Sequence, residues 1–268
     1  MVRLIGLDLD GTLLDEKKEI TPKTRLALLD AMARGIIIVP VTGRPFGGIP
    51  EVVRDLPGLR YVISSNGATV LDGAKTIFAR HIPLAETLTI LEKVPGGDVQ
   101  VFLDGFGYAE KETFRLLCAR NQGSPLLPYV TATRRIVPET LEAFVRAEGR
   151  SVEELLIRGA SKSLTQALYR LPRLTFLSSW EGVLEITADG IDKGKAFLQL
   201  AAHLGISQTE TMAFGDGGND LTFLQSAAHS IAMSNATEEV KAIAHYVTRS
   251  NEEDGIALVI NQLLRETL

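Results

Sequence analysis

A chain of 268 residues with 45 % hydrophobic, 23 % charged and 6 % aromatic residues has an ordinary globular composition, which excludes disorder, collagen and a coiled coil as whole-chain descriptions. At this length roughly three-quarters of the unfolded surface can be buried, so folding needs neither disulfides nor structural metals, and the chain holds one large domain or two modest ones. The net charge of −5 argues against a general nucleic-acid binder, which carries a basic face, but a few local charges can still hold a small anionic substrate.

Arg3 to Leu9 reads as a first strand. The apolar stretch before Asp8 is too short for a signal peptide, and the single cysteine, Cys118, fits a reducing compartment, so the expected location is the cytoplasm. Thr21-Pro22 opens a helix carrying Leu26, Leu29 and Ala33, and Gly35 stops it. The run Ile36 to Val41 is the next strand, far below the approximately 18 residues of a membrane span, and Tyr61 to Ser64 is the third. After about residue 80 the rhythm changes. Val99 to Leu103 and Tyr108 to Lys111 flank a Gly-rich turn and read as a hairpin. Phe114 to Cys118 reads as an apolar helical face that places Cys118 in the core. Then follow Glu153 to Arg158, a helix over Ala160 to Leu171, and strands at Leu174 to Ser178 and Val183 to Thr187. Trp180-Glu181-Gly182 reads as a turn near the site, and Arg134-Arg135 as solvated surface in preference to a contact for an anionic substrate. From Lys193 the strand–helix alternation resumes to the end. The pattern is a parallel-sheet core split by an inserted α+β module.

The chemistry lies where core strands end, because ligands of open α/β sheets sit beyond the carboxyl ends of the strands. Asp8-Leu9-Asp10-Gly11-Thr12 follows the first strand, Thr42-Gly43-Arg44 the second, Ser65-Asn66-Gly67 the third, and Gly215-Asp216-Gly217-Gly218-Asn219-Asp220 follows Thr211 to Phe214. Lys193 opens the helix where the core resumes. Asp8, Asp10, Asp216 and Asp220 converge on one edge, and each close pair of like charges costs on the order of 1–4 kcal/mol. With no Cys or His cluster available, and with His81, His203, His229 and His245 lacking ligand spacing, the offsetting charge expected is a hard, oxygen-seeking Mg²⁺.

Such a site, with one lysine and backbone N–H groups near Gly11, Gly43 and Gly217, suits a phosphoryl group. Asp8 at the strand end is placed for in-line attack on phosphorus. Asp10, two residues on, can protonate the leaving alcohol and later take a proton from water. Thr42 and Lys193 would stabilise the transferring phosphoryl oxygens. The expected phosphate- and substrate-binding set is Leu9, Gly11, Thr42, Gly43, Arg44, Asn66, Lys193 and Asn219. Asp216 would ligate the metal directly, with Asn219 and Asp220 as further ligands, through water, or as orienting groups; either could also cap the helix starting at Leu221.

In their order along the chain, these clusters resemble the four motifs of the haloacid dehalogenase superfamily of phosphatases. The insertion and Ser65-Asn66-Gly67-Ala68 resemble its type IIB, Cof-like branch, and the similarity extends to Ala232-Met233-Ser234-Asn235-Ala236 and Glu253-Asp254-Gly255-Ile256-Ala257. The resemblance implies Mg²⁺-dependent hydrolysis of phosphate monoesters, often sugar phosphates, with Asp8 as nucleophile, Asp10 as acid/base, and the metal held by Asp8, the Asp10 carbonyl and Asp216. The fold expected is a Rossmann-like α/β core, roughly residues 1–80 and 186–268, with an α+β cap at about 81–185. Two other readings share the scaffold: a phosphomutase, and a phospho-aspartate signalling protein resembling a response-regulator receiver. Asp10 and the inserted module argue against the latter. The expected partner is a small phosphate ester, with no nucleic acid and no membrane; which ester, and the oligomeric state, are not legible.

Overall fold

The computed structural model describes residues 1–177 and 182–266, so the turn expected at Trp180-Glu181 and the strand end at Ser178 lie outside the described residues. In chain order the strands are β1 (Leu4–Leu7), β2 (Ile37–Pro40), β3 (Tyr61–Ser64), β4 (Thr69–Asp72), β5 (Lys75–Ala79), β6 (Asp98–Leu103), β7 (Phe106–Ala109), β8 (Arg134–Ile136), β9 (Glu154–Arg158), β10 (Leu174–Leu177), β11 (Val183–Ala188), β12 (Thr211–Gly215), β13 (His229–Ala232) and β14 (Tyr246–Val247). The chain divides into two compact units. The first comprises Met1–Gly43, Ile49–Phe78 and Asp192–Leu268, and the second Arg44–Gly48 and Ala79–Ile191.

The first unit is built on a parallel sheet in the order β14-β13-β12-β1-β2. Every residue of β1 and β12 is buried, as central strands covered on both faces require. The helix Pro22–Ala33 begins where expected, with the Thr21 hydroxyl accepting the Thr24 N–H at 3.3 Å, and Gly35 follows its end at φ 82°. One expectation is corrected here. β3 joins the core sheet only through the Val41–Ile63 bridge; its main partner is β4, antiparallel, in a three-stranded β3-β4-β5 sheet. The Asn66-Gly67 pair is the turn of that hairpin as well as a strand-end cluster. The core includes Leu4, Val39, Ile63, Leu200 and Ala213, with Phe197 and Phe223 meeting edge to face at 5.2 Å.

The second unit holds a six-stranded sheet, β10-β11-β9-β6-β7-β8, antiparallel except between β7 and β8. The expected hairpin is present as β6 and β7. Its second strand ends at Ala109, because Lys111 already starts the helix Lys111–Arg120. On that helix Thr113 and Leu117 face inward. Cys118, one residue round from Leu117, is half-buried rather than core. The unit runs from 79 to 191 rather than 81 to 185, since β11 is a full member of its sheet, and it takes in residues 44–48. Arg134 is not solvated surface. Its guanidinium lies 4.9 Å from the Phe102 ring centroid and donates to Gln100 Oε1 at 2.7 Å.

Candidate functional site

All strands of the first sheet are parallel, so their carboxyl ends share one edge, and β1 lies between β12 and β2. Asp8 leaves β1 with its N–H bonded to Phe214 O at 3.1 Å and its carbonyl accepting Leu13 N–H at 3.1 Å. The nucleophile candidate therefore sits on backbone fixed from both sides. Its side chain is buried, 8 % exposed.

Lys193 is the first residue of the helix Lys193–His203, which Asp192 caps by accepting Lys195 N–H at 2.9 Å. Gly194 next to it has no room for a side chain against the Thr222 carbonyl, so the helix start seats against the segment after Asp220. The Lys193 ammonium, 1 % exposed, donates to Asp8 Oδ1 at 2.6 Å and Asp220 Oδ1 at 2.7 Å. Asp220 Oδ2 accepts the N–H groups of Asp216 and Gly217, both at 3.0 Å. Both Asp220 oxygens are thus engaged, and its side chain orients the loop and the lysine. Asp216 Oδ1 accepts the Thr12 hydroxyl at 2.7 Å.

Carboxylate oxygens of Asp8, Asp216 and Asp220 lie within 4.8 Å of one another, the only such acidic, histidine or cysteine group found among the described residues. Burial, then the Asp220 charge, push the Asp8 carboxyl well above the usual range, with Lys193 opposing. Burial and then Asp220 raise Asp216 to about 7, while the Thr12 hydrogen bond pulls the other way. Burial by itself would lower the Lys193 ammonium, but the charges of Asp220 and Asp8 more than reverse that and hold it above the usual lysine range. Asp10 pairs with Lys18, whose Nζ lies 2.9 Å from Oδ1. With all four carboxyls ionised against two ammonium groups, two negative charges remain. The donor set is all hard oxygen, and a divalent cation such as Mg²⁺ fits both its charge and its chemistry.

That fit has a measurable consequence. Asp216 has a folded value near 7 against an ordinary 3.8, so between those values the metal-free native state binds more protons than the unfolded chain and loses stability as pH rises. Relative to Asp216→Asn, the metal-free protein is expected to lose up to about 4 kcal/mol across this window, and saturating Mg²⁺ to remove the slope. Thermal melts of both proteins in chelator and in Mg²⁺ check it; parallel pH profiles would contradict it.

Gly11 has φ +84°, and a Cβ there would collide with the Asp216 carboxylate. Gly11→Ala is expected to cost about 1–2 kcal/mol in left-handed backbone strain and to weaken divalent-cation binding about tenfold or more, measured by calorimetric titration. Unchanged affinity would show that Asp216 is free to move.

The remaining expected residues are distributed as follows. Leu9 is fully buried. Thr42, 1 % exposed, is held at its N–H by Ile63 O at 2.9 Å, and its carbonyl accepts Asn66 N–H at 3.0 Å. Ser65, Asn66 and Gly67 all have positive φ, at 49°, 52° and 100°, a strained turn of the kind found at binding sites. It brings Asn66 Oδ1 to Asn219 Nδ2 at 3.0 Å, and a Cβ at Gly43 would approach Asn66 to 3.1 Å. The Asn219 side chain is thus tied through Nδ2 to Asn66. Arg44 belongs to the second unit, where it donates to Gly48 O at 2.9 Å and lies 4.3 Å from the Tyr129 ring centroid. Sequence reasoning gave no role to Thr12, Lys18 or Asn235. Thr12 and Asn235, whose Nδ2 donates to Gly11 O at 2.8 Å, stand inside motifs already singled out, whereas Lys18 carries no signal.

A family model of haloacid dehalogenase-like hydrolases matches residues 5–260. Phosphatase YwpJ of Bacillus subtilis (strain 168) is 30 % identical over 98 % of this chain and 100 % of its own. From the same organism, the 5-amino-6-(5-phospho-D-ribitylamino)uracil phosphatase YwtE is 28 % identical over 98 % of each chain. Among solved structures, a B. subtilis haloacid dehalogenase-like hydrolase superposes with TM-score 0.85 at 28 % identity, covering 98 % of this chain and 100 % of that one. The subclass IIB sugar phosphatase BT4131 does so with TM-score 0.81 at 27 % identity, over 98 % and 99 %. Among the described residues no helix is long and apolar enough to cross a membrane.

Proposed function

Since the chain belongs to the haloacid dehalogenase-like hydrolase family, in its type IIB, Cof-like branch, we propose that it is a Mg²⁺-dependent phosphatase hydrolysing small-molecule phosphate monoesters, sugar phosphates foremost, through an aspartyl-phosphate on Asp8. The observation that carries this reading is the buried cluster of Asp8, Asp216 and Asp220 around a single ammonium. Asp8 and Asp216, with the main-chain carbonyl of Asp10, would hold Mg²⁺, which when bound neutralises charge on the phosphoryl oxygens.

The chain's own groups do the rest. An oxygen of Asp8 attacks phosphorus as the bond from phosphorus to the alcohol oxygen breaks, and Asp10 gives that oxygen a proton. A water then attacks phosphorus and passes a proton to Asp10, the bond to Asp8 breaks, and phosphate leaves with both carboxyls restored. The Lys193 hydrogen bond to Oδ1 holds the Asp8 carboxylate in one rotamer and brings a fixed positive charge to the phosphoryl oxygens. Thr42, with the N–H groups near Gly11 and Gly43, would bind the same oxygens. The second unit serves as the cap that selects the leaving group.

The test is phosphate release from a panel of sugar phosphates, pyridoxal phosphate and nucleotides, with Mg²⁺ and with chelator. Turnover of at least one ester is expected, and its loss in chelator. Turnover untouched by chelator would overturn the metal-dependent reading.

A further inference from the structure

The loop after the nucleophile is held at its backbone by groups distant in sequence. Asn235 Nδ2 donates to Gly11 O at 2.8 Å, Asn251 Nδ2 donates to Leu14 O at 2.8 Å, and Asn251 N–H donates to Asn235 Oδ1 at 3.3 Å. The Asp10 side chain has a different anchor. Its Oδ1 accepts Lys18 Nζ at 2.9 Å, and the two side chains are only 28 % and 23 % exposed. Solvent screens such a pair less than an open surface ion pair.

Lys18 reaches Asp10 from an unusual backbone. Its φ is +65°, a left-handed conformation that costs a side-chain-bearing residue on the order of 1 kcal/mol. A closed turn holds it there. Lys18 N–H donates to Asp15 O at 3.0 Å, Glu19 N–H to Asp15 Oδ1 at 2.8 Å, and Asp15 N–H to Glu19 O at 3.0 Å. The turn thus commits a lysine to a strained position facing one carboxyl. That carboxyl needs holding, because Asp10 and Asp216 repel each other across the same edge. The Lys18 ion pair acts against that repulsion.

We propose that Lys18 is a positioning residue that holds the Asp10 carboxyl in the rotamer from which it protonates the leaving alcohol. The inference rests on Asp10 being the general acid of the proposed phosphatase. It adds a residue outside the motifs, and it predicts that Lys18 matters in proportion to how badly the leaving group needs a proton. An alkoxide leaving from a sugar or glycerol phosphate needs one in the transition state; p-nitrophenolate, a stable anion, hardly does.

The experiment compares kcat/KM for glycerol 2-phosphate and p-nitrophenyl phosphate in the wild type, Lys18→Met and Asp10→Asn, all with Mg²⁺. This parameter covers only the steps through loss of the leaving group, so the later hydrolysis of aspartyl-phosphate does not enter. Methionine keeps the length and the backbone strain and removes the charge, and the loop backbone keeps its asparagine anchors. Lys18→Met is expected to lower kcat/KM about tenfold for glycerol 2-phosphate and less than about twofold for p-nitrophenyl phosphate. Lys18→Arg should recover part of the loss. Equal losses on both esters, or none on either, overturn the role of Lys18. If Asp10→Asn itself shows equal losses, Asp10 is not the acid and the parent reading fails instead.

Discussion

Asp8→Asn is expected to lower kcat by about 10⁴-fold or more while leaving the metal-free protein more stable than the wild type. The two effects share one cause. The Asp8 side chain is 8 % exposed and faces Asp220 and Asp216, with Lys193 set against three carboxylates at close range. Asparagine keeps the shape and can still accept the Lys193 hydrogen bond, but it carries no charge to bury and no oxygen able to form a stable acyl-phosphate. A gain of about 1–2 kcal/mol follows from removing an incompletely paired buried charge, seen as a melting temperature raised by roughly 2–8 °C for a chain of this size. Phosphate release and thermal melts in chelator read the two limbs separately. Retained turnover would place the nucleophile elsewhere. A stability loss instead would mean that the site's charges are better balanced than their geometry suggests.

Lys193→Met is the converse case, expected to remove both activity and stability. The ammonium is buried between Asp8 and Asp220 at 2.6 and 2.7 Å. Without it two carboxylates are left facing each other away from water, an arrangement that costs about 3–5 kcal/mol when one partner of a buried pair is deleted. The sign of the pH dependence follows from the shifts. Lys193 titrates higher in the folded protein than in the unfolded chain, so its contribution is fully present across the neutral range and would be lost only as pH rises through the folded value. In the variant Asp8, already pushed up by burial, can protonate as pH falls and relieve the repulsion. Urea denaturation should therefore show a larger deficit at pH 8 than at pH 5; equal deficits would show that lost packing, not charge, is responsible.

The core and its site were legible because strand ends and polar clusters coincide in the sequence. Asp8, Thr42 and Asp216 each stand immediately past a buried strand or bridge residue, and the parallel sheet turns that sequential coincidence into proximity. For Asp220 the spacing left a ligand and an orienting group open, and the geometry serves both: its oxygens accept Lys193 and two backbone N–H groups, and it is one of three carboxylates with oxygens within 4.8 Å of one another. Asn66-Gly67 was legible as a strand-end cluster but not as the bend of a β3-β4 hairpin, because one tetrapeptide does both. Lys18 was invisible, since its reach to Asp10 depends on a left-handed residue that no pattern of types announces. Arg44 was hard to place for a different reason. It follows Gly43, the last residue of the first unit before the break, yet its guanidinium lies over the ring of Tyr129, more than eighty positions away, and with Tyr129 it belongs to the second unit.

That last placement bears on how such a protein can be re-engineered. The path passes between the two units at 43–44, 48–49, 78–79 and 191–192, four junctions rather than the two that a simple insertion needs. Residues 44–48 are tied to the inserted part by the Gly47 N–H to Gly105 O bond at 3.0 Å and by Arg44 on Tyr129. A chimera that exchanges only 79–191 with a relative would keep the host's pentapeptide and discard the ring and carbonyl it was matched to. Exchanging the second unit between members of this branch therefore calls for two grafts moved together, the long insertion and the five-residue strap that precedes it.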